Sequence, residues 1–223
     1  MNTVFHCRNV NFSYDLGETK TKALVDVNLD IKQGEFICLW GPSGSGKSTL
    51  LNLLGLIEPV TDGEITFNNE PYSRLPESRR NQLRRHDFGY IFQDFYLMEV
   101  LGADENIEFF LTRAGVDKQE RRTRVKESLD QVHMYDLRKK RPNQMSGGQR
   151  QRIAVARALA KKPKVILADE PTANLDQKNS REVMEILRSL TDQGYTIIMS
   201  SHDKLALEYA TRQIKLEDGR IVN

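Results

Sequence analysis

Apolar positions along the chain switch between a strand-like period of two and a helix-like period near 3.6. In the first third, Leu24, Val25, Val27, Leu29 and Ile31 alternate with polar residues, which predicts a half-buried strand. Gln33-Gly34 marks a turn. Phe36–Trp40 is a continuous apolar run, the pattern of a strand covered on both faces. A glycine-rich loop spans residues 41–46, and Lys47–Leu54 then reads as a helix that Gly55 ends as a C′ residue. Residues 64–68 read as a further strand. In the middle, Ile107, Phe110, Leu111 and Ala114 recur at helical spacing between an N-cap at Asp104 and Gly115. Val125, Leu129 and Val132 make a second stripe, and Ile153, Ala156 and Ala160 a third. Residues 94–162 are therefore helix-rich with few strand signals. The last third alternates again: a strand at 165–168, a helical stripe at Val183, Ile186, Leu187 and Leu190, a strand at 196–200, and a short helix at 205–210. Asp218-Gly219 joins two short apolar runs as a hairpin. Strand–helix alternation implies a parallel sheet with helices on both faces.

Composition narrows the class. The 223 residues are 39% hydrophobic and 29% charged, enough for a sizeable core. Lys and Arg number 33 against 31 Asp and Glu, a net charge of +2, which makes no global case for a nucleic-acid partner. Two cysteines, Cys7 and Cys38, are too few for a disulfide scaffold and read as core residues in a reducing compartment. The N-terminal residues lack a signal-peptide pattern. No apolar stretch approaches the roughly 20 residues that span a bilayer, so any membrane role is expected to come through a partner.

Three segments carry chemistry. Gly41-Pro42-Ser43-Gly44-Ser45-Gly46-Lys47-Ser48 fits G-x-x-x-x-G-K-[ST] and lies between a predicted strand and a predicted helix, as a phosphate-binding loop requires. Its glycines let backbone N–H groups turn toward phosphate oxygens, and the helix N-terminus adds partial positive charge. Lys47 is placed to reach the β- and γ-phosphates, and the Ser48 hydroxyl to ligate Mg2+. The strand at 165–168 runs into Asp169-Glu170, where the carboxyl ends of parallel strands hold ligands. Successive strand residues point opposite ways, so Asp169 is expected to hold Mg2+ and Glu170 to polarise the attacking water as general base. Ser146-Gly147-Gly148-Gln149 matches a capping box ahead of a helical stripe. Its two glycines weaken a helix and suggest close backbone approach to an anion at a second helix N-terminus.

Together these segments resemble the nucleotide-binding subunits of ABC (ATP-binding cassette) transporters over nearly the whole length. Residues 41–48 look like Walker A, with Thr49 following. Residues 165–169 look like Walker B, and Glu170 matches the family's catalytic glutamate. Residues 146–149 look like the ABC signature, with Met145 where Leu is usual. Gln93 resembles the Q-loop glutamine, residues 173–176 the D-loop with Asp176 at its end, and His202 the switch histidine that senses the γ-phosphate. Tyr14 is similar in placement to the aromatic residue that stacks on adenine, a core aromatic being the alternative. The segments 92–97, 105–106 and 169–176 look like the LolD, MacB and FtsE group. Trp40, Ala173 and the stretch 101–104 depart from that group's pattern, the last on the surface expected to face a partner.

The resemblance implies an α/β fold: a P-loop NTPase (RecA-like) core with an N-terminal antiparallel β region and an inserted helical subdomain. The core would comprise residues 1–92 and 163–223, and the helical subdomain residues 93–162. It implies ATP hydrolysis with ATP and Mg2+, and catalytic roles for Glu170, His202 and Gln93, with Ser48, Gln93 and Asp169 at the metal. Two subunits would close head to tail on ATP, so that Ser146, Gly147, Gly148 and Gln149 act in trans. Gln93 would link the Mg2+ site to the helical segment that contacts a transmembrane permease of the MacB, LolC or FtsX kind. The cassette would lie on the cytoplasmic face of the cell membrane and power movement of a hydrophobic, peptide or lipoprotein cargo. An FtsE-like force-transmitting role is the alternative. A soluble ABC ATPase acting on DNA or ribosomes is the remaining rival, but this chain has neither the insertions nor the second cassette of such types. The clusters Arg79-Arg80, Arg84-Arg85, Arg121-Arg122 and Arg138-Lys139-Lys140-Arg141 read as solvated faces, with anionic lipid contact as the alternative.

Overall fold

The computed structural model describes residues 2–15, 17 and 20–222. In chain order the strands and helices are β1 (Thr3–Asp15), β2 (Lys20–Lys32), β3 (Phe36–Trp40), α1 (Lys47–Leu54), β4 (Asp62–Phe67), β5 (Glu70–Pro71), α2 (Glu77–His86) and β6 (Phe88–Ile91). There follow α3 (Ala103–Arg113), α4 (Lys118–Gln131), α5 (Gly147–Leu159), β7 (Val165–Asp169), α6 (Gln177–Asp192), β8 (Thr196–Ser201), α7 (Lys204–Tyr209), β9 (Arg212–Glu217) and β10 (Arg220–Val222). Among the described residues, 93–162 contain these three helices and no strand, as the periodicity predicts.

Two sheets form. One is antiparallel, in the order β2-β1-β4-β5; the other runs β10-β9-β3-β8-β7-β6. In the second, β6, β7, β8, β3 and β9 are parallel neighbours, and only β10 turns back, through the predicted hairpin. The central strands β3 and β7 have four fully or nearly fully buried residues each, which is why their apolar runs are continuous rather than alternating. One apolar cluster fills the space between the two sheets and α1. Phe67 bridges Phe5 and Phe88 there, with ring centroids 5.0 and 4.9 Å apart, and so joins β1 and β4 to the edge strand β6. A second cluster lies on the other face of the parallel sheet, where Ile153 and Val155 of α5 meet Ile166 and Ala168 of β7.

Three local expectations are corrected. Gly55 does not take a left-handed conformation; its φ is −83°, and Leu56 turns left-handed at 58°. Gly55 is needed for space, because a Cβ there would come within 2.8 Å of Leu167 and Tyr90. Asp104 does not cap α3, which starts after Gly102. The first-turn donors meet carbonyls of another segment: Ala103 N–H donates to Lys140 and Asp104 N–H to Arg138, both at 2.9 Å. Glu170 lies beyond β7 with φ 46°, so strand alternation does not set its direction.

Candidate nucleotide site

The carboxyl ends of β3, β7 and β8 converge on one cleft of about 620 Å³. It is lined by Tyr14, Ser43–Thr49, Gln93, Glu170 and His202, and also by Thr21, Lys22 and Ala23. The loop leaves β3 at Trp40 and enters α1 at Lys47. Gly41 packs so closely on the Leu216 carbonyl of β9, and Gly46 on the Ala23 carbonyl of β2, that neither position has room for a Cβ. Gly44, by contrast, has open space and a φ of +78°. Gly46 is the N-cap of α1 and is left-handed, and no side chain caps the helix. The first-turn N–H groups of α1 therefore face the cleft, a cradle suited to an anion.

Lys47 is 6% exposed, and its ammonium donates to the carbonyls of Gly41 and Pro42 at 2.9 and 2.8 Å. It is held at the loop that a phosphate would occupy. Ser48 Oγ donates to Asp169 Oδ1 at 2.8 Å. These two oxygen donors suit Mg2+, which keeps several waters and takes its remaining ligands from substrate phosphates. Among the described residues no cluster of three or more His, Cys, Asp or Glu forms a protein-only cage. Glu170 Oε2 lies 2.9 Å from His202 Nδ1. Tyr14 is half-buried at the cleft edge, with its hydroxyl 3.3 Å from Thr49 Oγ1 and its ring edge-on to Phe12.

The signature-like residues lie elsewhere. Ser146, Gly147, Gly148 and Gln149 start α5 outside this cleft. Ser146 Oγ accepts from Gln149 N–H at 3.2 Å, and the Gln149 side chain returns to Ser146 N–H at 3.1 Å, as the capping box predicts. Within this chain the missing Cβ of Gly148 makes room for the side chain of Asn179, whose Cβ would lie only 2.8 Å away. Asp176 also lies outside the cleft. It caps α6 by accepting from Asn179 N–H at 2.9 Å, and these hydrogen bonds hold its carboxyl below the usual range.

Several positioning contacts escape a motif search. Ser200 connects Asp169 to the Glu170 backbone. Asn174 Nδ2 donates to Gln93 O at 3.3 Å and to Asp94 Oδ1 at 3.2 Å, tying the segment at 93 to that at 173–176. Buried Gln151 of α5 donates to Pro171 O at 2.6 Å. Buried Arg157, whose pKa desolvation pushes down to about 10, donates to Phe95 O at 2.8 Å and also to Tyr96 O. Phe95 and Tyr96 are both left-handed. The signal for Gln151 and Arg157 was present as polar residues on the buried side of a helical stripe. Burial pushes the thiols of Cys7 and Cys38 up to about 12, in keeping with core residues. The basic clusters are partly paired: Arg79 with Glu70, Arg84 with Glu77 and Arg121 with Glu108.

Comparison with known proteins agrees with this geometry. The profile of the ABC transporter family matches residues 24–173. The ABC transporter ATP-binding protein MJ1508 of Methanocaldococcus jannaschii is 47% identical over 98% of each chain. The macrolide export ATP-binding/permease protein MacB of Salmonella choleraesuis is 42% identical over the whole of this chain, which spans 34% of that protein. The solved structure of the ATP-binding cassette MJ0796, a dimer in a post-hydrolysis state bound to ADP and Pi, superposes with a TM-score of 0.89 at 39% identity, covering 98% of this chain and 97% of that one. With the phosphate loop, the acidic strand end and the capped α5 all in place, the chain belongs to the ABC transporter family as an ATP-binding cassette and ATPase.

Proposed function

We propose that this cassette hydrolyses MgATP in the cleft described above, in a head-to-tail dimer, to drive a transmembrane permease of the MacB, LolC or FtsX kind. The observation that carries the reading is the separation of the two glycine-bearing helix starts. One is open toward the cleft, and the other lies outside it, capped by its own Ser146 and Gln149. A second copy would bring Ser146 and Gly148 to the phosphates bound by Lys47, as the resemblance implies.

Lys47 exchanges its two neutral carbonyl partners for phosphate oxygens, and charge-assisted hydrogen bonds are about twice as strong as neutral ones. Mg2+, held by Ser48 and Asp169 with Gln93 nearby, would neutralise phosphate charge. Glu170 takes the proton of the attacking water, and His202 orients the Glu170 carboxylate and meets the γ-phosphate. ATP favours the closed dimer and hydrolysis removes that preference, so the bound nucleotide sets the population of closed states. Tyr14 supplies a face for adenine.

Residues 1–92 and 163–223 act as the catalytic core and 93–162 as the helical subdomain. Tyr96, Val100 and Phe109 of that segment are exposed apolar residues, which supports a partner surface there. No helix among the described residues is long and apolar enough to cross a membrane, so the permease would be another chain or segment. The cassette would then lie at the inner face of the cell membrane, and its cargo would be hydrophobic, peptide or lipoprotein; the MacB relatives, named for macrolide export, support the export direction.

The test is to tag the chain, extract it gently from its native membranes and identify what co-purifies. A permease with a large extracytoplasmic domain is expected. Recovery in the soluble fraction with ribosomes or nucleic acid would overturn the transporter reading, and a division-associated partner would favour force transmission over transport.

A further inference from the structure

Ser200 lies near the end of β8 and has no exposed surface. The sheet register sets it beside Asp169. Its hydroxyl donates to Asp169 Oδ1 at 2.5 Å and accepts the N–H of Glu170 at 2.9 Å. One buried oxygen thus satisfies two successive residues at the strand end. The neighbouring Ser201 cannot substitute, because its Oγ faces away and accepts from Asp203 N–H.

We propose that Ser200 is a positioning residue for hydrolysis, setting the Asp169 carboxylate and holding the Glu170 peptide in its left-handed turn. The proposal rests on the reading of Glu170 as the base and Asp169 as a Mg2+ residue. A non-glycine residue is held at φ 46° only where the surroundings over-determine it. The Glu170 N–H is the group that Ser200 fixes, and the turn at Glu170 is what directs its carboxylate into the cleft. Asp169 Oδ1 accepts a second hydroxyl, from Ser48. Ser200 therefore keeps that carboxylate oriented when Ser48 turns to a metal. Without the hydroxyl, the Glu170 N–H loses its partner and the turn can relax. A displacement near 1 Å at a reacting group costs on the order of 100-fold in rate.

The experiment compares Ser200→Ala with Ser200→Thr, which keeps the hydroxyl. Hydrogen exchange of the Glu170 amide in the nucleotide-free protein reads the contact directly, and kcat and KM for MgATP read its use. In Ser200→Ala, the amide is expected to exchange at least about 10-fold faster and kcat to fall about 10- to 100-fold, with KM within about twofold. Ser200→Thr should retain both properties within about threefold. Should Ser200→Ala not fold, Ser200→Cys, a near-isosteric weak donor, carries the same comparison. Wild-type exchange and kcat in the alanine variant would overturn the proposal. So would an equal loss in the threonine variant, or a loss carried by KM alone. Glu170→Gln, assayed in parallel, separates the two readings: if it turns over normally, the base assignment fails, while the exchange result at Ser200 stands or falls by itself.

Discussion

The starts of α1 and α5 are both glycine-rich, yet they solve opposite problems. At α1, Gly46 caps the helix without a side chain, and the freed N–H groups face a cleft. At α5, Ser146 and Gln149 satisfy each other's backbone donors, and Gly148 is closed over by Asn179. The first end is left unsatisfied, which suits an incoming anion; the second is already stable and presents a fixed surface. A glycine beside a helix start therefore does not by itself mean a ligand. Whether the first-turn N–H groups already have partners decides the matter.

The largest expected break of this contrast is Lys47→Ala. Loss of a charged hydrogen-bond partner costs about 1.5–3 kcal/mol, so ATP affinity should fall about 10- to 100-fold. Trp40, the chain's one tryptophan, directly precedes Gly41 and supplies a fluorescence titration. Unchanged affinity would remove the cleft from nucleotide binding. Gly148→Ala should destabilise the fold by about 1–3 kcal/mol through overpacking against Asn179, with ATP affinity of the single chain retained. Denaturant midpoints alongside the same titration check both halves. Ser146→Ala should cost about 1 kcal/mol of stability by loss of the cap, and should lower turnover more than affinity if Ser146 acts across a dimer.

The far end of α5 gives the smallest effect. Lys161 donates to Arg84 O at 3.1 Å and to Phe88 O, and desolvation, with Arg157 nearby, pushes its pKa from 10.5 down to about 8. Between pH 8 and 10.5 the unfolded chain binds more protons than the folded one, so this lysine's contribution to stability rises with pH across that window. Relative to Lys161→Met, the wild type should gain stability from pH 8 to 10. A flat difference in denaturant midpoints would contradict the burial argument.

Much of this is legible in the sequence. The bounds of α1 follow from a glycine loop on one side and Gly55 on the other, although Gly55 is there for space. The strands β3 and β7 are legible because burial on both faces leaves continuous apolar runs. By contrast β1 hides, since Asn9 turns left-handed and register shifts after Cys7 break the alternation. The helix α2 hides because Leu83 is its one buried residue. At the site, the residues with short-range spacing were readable: the loop, Asp169-Glu170 and the Ser146 capping box. The contacts of Ser200, Asn174 and Arg157 were not, because their partners are 31, 81 and 62 positions away and only the sheet and the α5 packing bring them together.

The central claim is that Glu170 hydrolyses the ATP that the Lys47 loop binds. It is tested most directly by following single-turnover hydrolysis and light scattering of wild type and Glu170→Gln with MgATP. The account predicts that the variant binds ATP with wild-type affinity, loses turnover by about 100-fold or more, and accumulates as a dimer. Hydrolysis by the variant at the wild-type rate would contradict it.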